Sequence, residues 1–247
     1  MKVRLSALFV LACIAMTTLA HASNRPPTAL PGQEDVVKQS MTPCPGGMEY
    51  ILPGEYHFCA ATRDFWRGKR NSAVDHLETA AEWASKPAQY ALGVMYFNGD
   101  QLPQDRPLGL AWLALAAERH DPVYESSFIT AYRHASLEER QQANVHWKAL
   151  RDTYADKVAA VRAKRHFDLR THAIEAAINF SGWLTIPAMT PGEASTGPMV
   201  GYNMAALERY FQQRGEAYFR GLDGTTVAGG ERRVLVPVGQ LADVPGS

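Results

Sequence analysis

The sequence lacks the short motifs that mark most catalytic and nucleotide-binding sites. It contains no His-Glu-x-x-His, no phosphate-binding glycine loop and no Gly-x-Ser-x-Gly. An excess of charge of one sign is also missing, since 25 basic residues balance 25 acidic ones. A neutral chain has no general attraction for nucleic acid or anionic lipid. These absences favour a protein with no catalytic residues, no cofactor, no metal site and no nucleic-acid partner.

Long hydrophobic runs are confined to the start of the chain. Lys2 and Arg4 precede an apolar run that ends in Ala20-His21-Ala22, a small-x-small pattern. This arrangement predicts a signal peptide over residues 1–22, cleaved after Ala22. The mature chain would keep 247 − 22 = 225 residues, with 23 basic and 25 acidic side chains. We expect it to be periplasmic or secreted, without membrane insertion, because no later apolar run could span a bilayer.

Two other interpretations of the first residues stay open. One is a retained membrane helix. The other is a lipoprotein, since Val10-Leu11-Ala12-Cys13 faintly resembles a lipidation site.

Cysteine is scarce, with three in the whole chain. Cys13 would leave with the signal peptide, so Cys44 and Cys59 would remain. Two cysteines in an oxidising compartment usually pair, which predicts a disulfide around a loop rich in proline and glycine. A metal site is the alternative, but no Cys-x-x-Cys or His-x-x-x-His pattern lies nearby.

Three regions follow the predicted signal peptide. Residues 23–39 are polar and proline-rich, which indicates a flexible lead-in. Residues 40–156 show helical periodicity and form a predicted helical repeat domain. Residues 157–247 form a C-terminal extension of mixed character. The predicted fold class is mainly α, a short α-solenoid of antiparallel helix pairs.

The clearest repeat unit runs from Pro87 to Pro122. In its first half, Ala88, Leu92 and Tyr96 fall on one helical face, and Gly93 would let a neighbouring helix approach closely. Gly99 follows, at the position where a helix end favours a left-handed residue. The second half begins after Asp105, a suitable N-cap. Its apolar face carries small residues beside one large aromatic ring: Ala111, Trp112, Ala116 and Ala117.

Looser versions flank this unit. The earlier one has a helix that ends at Gly68 and a second helix with Ala80-Ala81, which correspond to Ala116-Ala117 at a step of 36 residues. The later one has a helix from about Val123 to Ala135, and its second helix opens with Ser136 and Glu139 in a capping box. Repetition at this period is typical of helical solenoids.

The central unit, with its Ala-x-x-x-Leu-Gly-x-x-Tyr-x-x-Gly run, resembles a Sel-one-like (Sel1) repeat, a variant of the tetratricopeptide repeat. The resemblance implies a right-handed stack of helix pairs that binds other proteins, without catalytic residues. One departure is Glu118-Arg119-His120, which stands where a glycine is common.

Aromatic stripes suggest where a partner could bind. Tyr90, Val94 and Phe97 form a second stripe on the first helix of the central unit. A similar stripe occupies the first helix of the next unit, with Tyr124, Phe128 and Tyr132. First helices line the concave face of such stacks, so the two stripes predict an apolar groove for a peptide or helix. The alternative is that these side chains are buried under the C-terminal segment.

The C-terminal extension has a weaker pattern. Residues 157–178 are charged and predicted helical, and Asn203 could cap a short helix through Gln213. Residues 217–222 and 233–238 have strand-like composition, which predicts a small β-hairpin.

The leading functional hypothesis is an exported scaffold for protein–protein interaction that binds a protein or peptide. Two alternatives stay open. One is a cell-envelope hydrolase with its site after residue 156, and the other is a secreted effector or inhibitor.

Overall fold

The computed structural model describes residues 44–180, 186 and 204–222, and every regular element within these residues is helical. The predicted signal peptide and lead-in lie outside them. A single 3₁₀ turn, Ala117–Arg119, follows α5. The α-helices are α1 Met48–Ile51, α2 Pro53–Trp66, α3 Arg70–Glu82, α4 Lys86–Asn98, α5 Arg106–Ala116, α6 Pro122–His134, α7 Leu137–Tyr154, α8 Ala159–Phe180 and α9 Met204–Tyr218.

Local sequence signals set the helix ends. A proline in the first turn opens α2, α4, α5 and α6, where its missing N–H costs no hydrogen bond. Asp105 caps α5 by accepting a hydrogen bond from the Leu108 N–H at 2.9 Å. The predicted capping box is confirmed at α7, where Ser136 and Glu139 each satisfy the other's backbone N–H.

Two of the three predicted helix pairs are confirmed, since α2 packs on α3 and α4 packs on α5. In the looser third pair, α6 and α7 both pack mainly on α5 and not on each other, and α7 does so more extensively. Equivalent turns repeat as well. Gly68 and Gly99 are left-handed after the first helices of the two units, and Ala84 and His120 are left-handed after the second helices. Ala84 and His120 are 36 residues apart, so the backbone repeats with the same period as the sequence. His120 has the left-handed conformation that glycine commonly adopts at this place in the repeat.

Small residues let the central pair pack closely. A Cβ atom at Gly93 would lie 2.8 Å from the Leu113 side chain, and one at Gly109 would lie 2.8 Å from the Gly93 carbonyl oxygen. Leu92 and Trp112 are buried in the core shared by α2, α3, α4 and α5. The role predicted for Gly93, close helix approach, is confirmed. The other repeat-defining positions Ala88, Ala111, Ala116 and Ala117 are fully buried, and Tyr96 is half-buried.

A second core joins the two ends of the described chain. Met48 and Ile51 from α1 pack with Phe167 and Ile174 from α8. Phe211 from α9 completes this core. The extension therefore packs on residues that precede the repeats.

The predicted disulfide is present. Cys44 and Cys59 are bonded, with Cα atoms 5.8 Å apart, and the bond ties the segment before α1 to the middle of α2.

One secondary-structure prediction in the extension is wrong. Residues 217–218 close α9 and residues 219–222 form a turn, so they are not a strand. Phe219 is buried against Phe167, which explains the apolar composition without β-structure. The proposed partner strand, residues 233–238, lies outside the described residues. Helix α9 also continues five residues past the predicted end at Gln213.

None of the helices in the described part of the chain has the length and apolar content needed to cross a membrane.

Candidate functional site

A groove runs between the first helices of two consecutive repeat units, α4 and α6. Its volume is about 580 Å³, and it is open to solvent along one side. We call it the α4/α6 groove. It is lined by Val94, Phe97, Asn98, Arg106, Leu113, Ser126, Ser127, Thr130, Ala131 and His134.

The floor of the groove is apolar and its α6 wall carries hydroxyl groups. Val94 and Phe97 are half-buried, so part of each side chain faces the groove. On α6, Ser127 donates its hydroxyl hydrogen to Val123 O at 2.8 Å, and Thr130 donates to Ser126 O at 2.8 Å. Since those hydrogens are already engaged, the hydroxyl oxygens face a ligand as hydrogen-bond acceptors.

Arg106 closes one end of the groove. Its guanidinium lies 4.3 Å from the centre of the Phe97 ring and donates to Glu139 Oε1 at 2.7 Å and to His134 O at 2.9 Å. The backbone N–H of Ser136, together with Arg106, lowers the pKa of Glu139 below its usual value. The Arg106 charge is therefore compensated inside the protein, and the groove carries no free charge from this residue.

Two tyrosines lie nearer the starts of α4 and α6, outside the lining of the groove. The ring centroids of Tyr90 and Tyr124 are 5.1 Å apart, and the hydroxyl oxygens of Ser127 and Tyr90 are 3.4 Å apart. Burial, aided by Asp121, raises the pKa of Tyr124 above its usual value. Its hydroxyl group stays protonated at neutral pH and can donate a hydrogen bond.

The structure divides the six aromatic-stripe residues into two groups. Val94, Phe97, Tyr90 and Tyr124 are half-buried, but only Val94 and Phe97 line the groove, whereas Tyr124 lines the second cavity described below. Phe128 is 2% exposed and Tyr132 is 7% exposed. These two belong to the core and do not line an open surface, so the groove is narrower than predicted. They are covered by α5 and α7, through residues such as Leu113 and Ala143, and not by the C-terminal segment.

A buried ionic cluster joins the repeats to the extension. Asp156 accepts two hydrogen bonds from Arg119, at 2.8 and 2.9 Å, and lies 3.1 Å from Lys86 Nζ. Burial alone would raise the pKa of Asp156, but Lys86 and Arg119 outweigh that effect and hold its pKa below the usual value. Arg119 also donates to Tyr218 O at 2.6 Å, so this cluster fixes the end of α9.

Sequence reasoning missed this cluster. Arg119 is 37 residues from Asp156 in the sequence and 99 residues from Tyr218. Helical periodicity reports on one face of one helix and contains no signal for such a pairing.

A second cavity of about 420 Å³ lies between the starts of α4 and α6 and the end of α9. Its lining is charged, with Glu55, Lys86 and Arg214 among its residues, and Glu55 forms an ion pair with Arg214. Lys86 pairs with Glu118 at 2.8 Å. The charges of this cavity are thus largely paired, and its charged lining distinguishes it from the α4/α6 groove, whose floor is apolar.

Within residues 44–180, 186 and 204–222, no group of three or more His, Cys, Asp or Glu side chains is placed to hold a metal ion.

These features define a helical-repeat protein of the tetratricopeptide type with an apolar groove between first helices. Residues 86–121 match the family model of the Sel1 repeat. The matched segment covers one full period, from the start of α4 to the residue after His120. No curated protein and no solved structure gives a significant match to the chain.

Proposed function

We propose that this chain is an exported scaffold, without catalysis of its own, that binds a segment of another protein in the α4/α6 groove. Sel1 repeats generally mediate protein–protein interaction, which supports the class of function. The observation that carries the specific proposal is the groove itself, because it is open, apolar at its floor and lined by the first helices of consecutive repeats.

The chemistry of the groove indicates the kind of partner. Val94 and Phe97 offer an apolar surface, and the hydroxyl oxygens of Ser127 and Thr130 accept hydrogen bonds. An extended peptide has apolar side chains and unpaired backbone N–H groups, which complement such a lining. We therefore propose an extended, uncharged peptide segment as the ligand.

Export is the second part of the proposal. It rests on the predicted signal peptide and is supported by the Cys44–Cys59 disulfide, because disulfides persist in oxidising compartments. The mature protein should begin at Ser23, and N-terminal sequencing of the protein recovered from the periplasm or medium tests this. A lipid-modified Cys13 at the N-terminus, or retention of the first residues, would contradict it.

Peptide selection tests the groove directly. Peptides would be selected from a random library on the purified wild-type protein, and their affinities then measured on two α6 variants. Thr130→Glu adds a bulky charge inside the groove, and we expect it to weaken binding at least about tenfold. Val123→Glu is the matched control, since Val123 is 61% exposed on the same helix and outside the groove. Equal affinities of the selected peptides for both variants would contradict the proposal.

A further inference from the structure

Two histidines face each other between the first pair of helices. His57 lies on α2 and His76 on α3, and their Nδ1 atoms are 3.0 Å apart. The rings are tilted by 33°, with centroids 5.1 Å apart. The two histidines are 19 residues apart in the sequence, so the pair does not match any short metal-binding motif.

The surroundings of His76 select which of its nitrogens is unprotonated. Its Nε2 atom lies 4.0 Å from Asp64 Oδ2. Asp64 is buried, and the Ser72 hydroxyl donates to it at 2.5 Å. A negative charge beside Nε2 favours a proton on that nitrogen and leaves Nδ1 of His76 as a free lone pair.

Without a metal, one proton between the two Nδ1 atoms satisfies the contact. A shift of that proton from Nδ1 to Nε2 of His57 would free both Nδ1 lone pairs without any net change of charge.

We propose that His57 and His76 form a two-histidine site for a divalent transition metal, with Cu²⁺ as the preferred ion. For metal–nitrogen bonds of about 2.0 Å, an Nδ1–Nδ1 distance of 3.0 Å corresponds to an angle of about 97° at the metal. That angle is closer to neighbouring positions of a tetragonal Cu²⁺ site than to a tetrahedral Zn²⁺ site. Water completes the coordination, since the His76 side chain is 27% exposed.

Asp64 acts in this site as a positioning residue. A carboxylate that faces the distal nitrogen of a metal-bound histidine orients the ring and increases its basicity. Ser72 holds the carboxylate in place. The Ser72–Asp64–His76 arrangement thus supports the ligand from behind, and it does so from within one helix pair, α2 and α3.

The test is a Cu²⁺ titration of the disulfide-intact protein from which any affinity tag has been removed. We expect one ion per chain, and pulsed electron paramagnetic resonance of the wild-type complex should detect two coordinated imidazoles. His57→Ala and His76→Ala should each weaken binding at least about tenfold. Asp64→Asn should weaken it about 10–100-fold while both imidazole signals remain.

His172→Ala serves as the matched control, because His172 is an exposed histidine on α8. It should leave the affinity unchanged. Circular dichroism would verify that the variants are folded, and the count of imidazoles in the wild-type complex is independent of any variant. A wild-type spectrum with one imidazole or none, or equal affinities of His57→Ala, His76→Ala and the wild type, would overturn the proposal.

Discussion

The central repeat and the C-terminal helices are packed in different ways. In the central repeat, α4 and α5 interlock through small residues, with Gly93 against Leu113 and Gly109 against the α4 backbone. In the extension, α8 and α9 meet α1 through large rings such as Phe167 and Phe211. Small residues let the two helix backbones approach closely, whereas large rings fill the wider space between helices that lie farther apart.

This difference in packing reflects how the ends of the repeat array are covered. A solenoid leaves an apolar face at each end, which must be covered for the protein to stay soluble. Here the extension and α1 cover the first unit, while α7 covers the apolar side of α5 and α6. The cluster of Asp156, Lys86 and Arg119 lies where the repeats and the extension meet, so it holds two differently packed regions together.

The largest effect is expected from breaking that junction. Asp156→Ala removes the carboxylate partner of the buried Arg119, and it leaves Lys86 with Glu118 as its remaining carboxylate partner. We expect a loss of about 3–5 kcal/mol in the free energy of unfolding. Denaturant unfolding would measure it, with Asp152→Ala as the control, because the Asp152 side chain is 72% exposed. Similar stabilities of the two variants would show that the cluster does not hold the regions together.

The repeat core should be nearly as sensitive. Leu92 is fully buried between α2, α3 and α5, so Leu92→Ala leaves a cavity and should cost about 2–5 kcal/mol. Leu169→Ala on α8 is the matched control, since Leu169 is 63% exposed. Thermal unfolding of both variants measures the difference. A loss of stability in the control as large as that in Leu92→Ala would contradict the assignment of the core.

A smaller and more local effect is expected where the extension touches α2. A Cβ atom at Gly54 would overlap the Tyr218 hydroxyl and lie 2.9 Å from Trp83 Cβ. Gly54→Ala should therefore displace the end of α9 and cost about 1–3 kcal/mol. Hydrogen exchange should accelerate in α9 and remain unchanged in α4 and α5. Equal acceleration in all three helices would indicate that the two regions are not separately packed.

The smallest effect concerns pH. The folded state binds a proton at His57 less tightly than the unfolded chain, because burial and His76 lower the pKa of His57 from 6.5. Stability should therefore be complete above pH 6.5 and decline as pH falls through the lowered folded value. Urea midpoints at pH 7.5 and pH 5 would measure this decline. His57→Gln should reduce it, and an identical decline in that variant would assign it to other groups.

Periodicity made most of the repeat predictable. The spacing of Leu92, Gly93 and Trp112 specified the helix pair. Glycines marked two of the four left-handed turns that occupy equivalent places after the helices of the first two units. The other two turns use Ala84 and His120, which have no such preference, so the step of 36 residues between equivalent positions was the better guide.

Burial was harder to predict than secondary structure. Tyr124, Phe128 and Tyr132 share a stripe, yet Tyr124 is half-buried and lines the second cavity, while Phe128 and Tyr132 are covered by α5 and α7. A stripe tells which residues share a face, but not how far the next helix extends over that face. The same limit explains why the turn at 219–222 resembled a strand, since Phe219 is apolar because it packs on Phe167.

The central claim is that the α4/α6 groove binds a segment of a partner protein. The most direct measurement is hydrogen exchange of the protein with and without a selected peptide, read helix by helix. Our account predicts that added protection concentrates in α4 and α6, around Val94, Phe97 and Thr130. Protection confined to α8 and α9, with α4 and α6 unchanged, would contradict the account and direct attention to a site after residue 156.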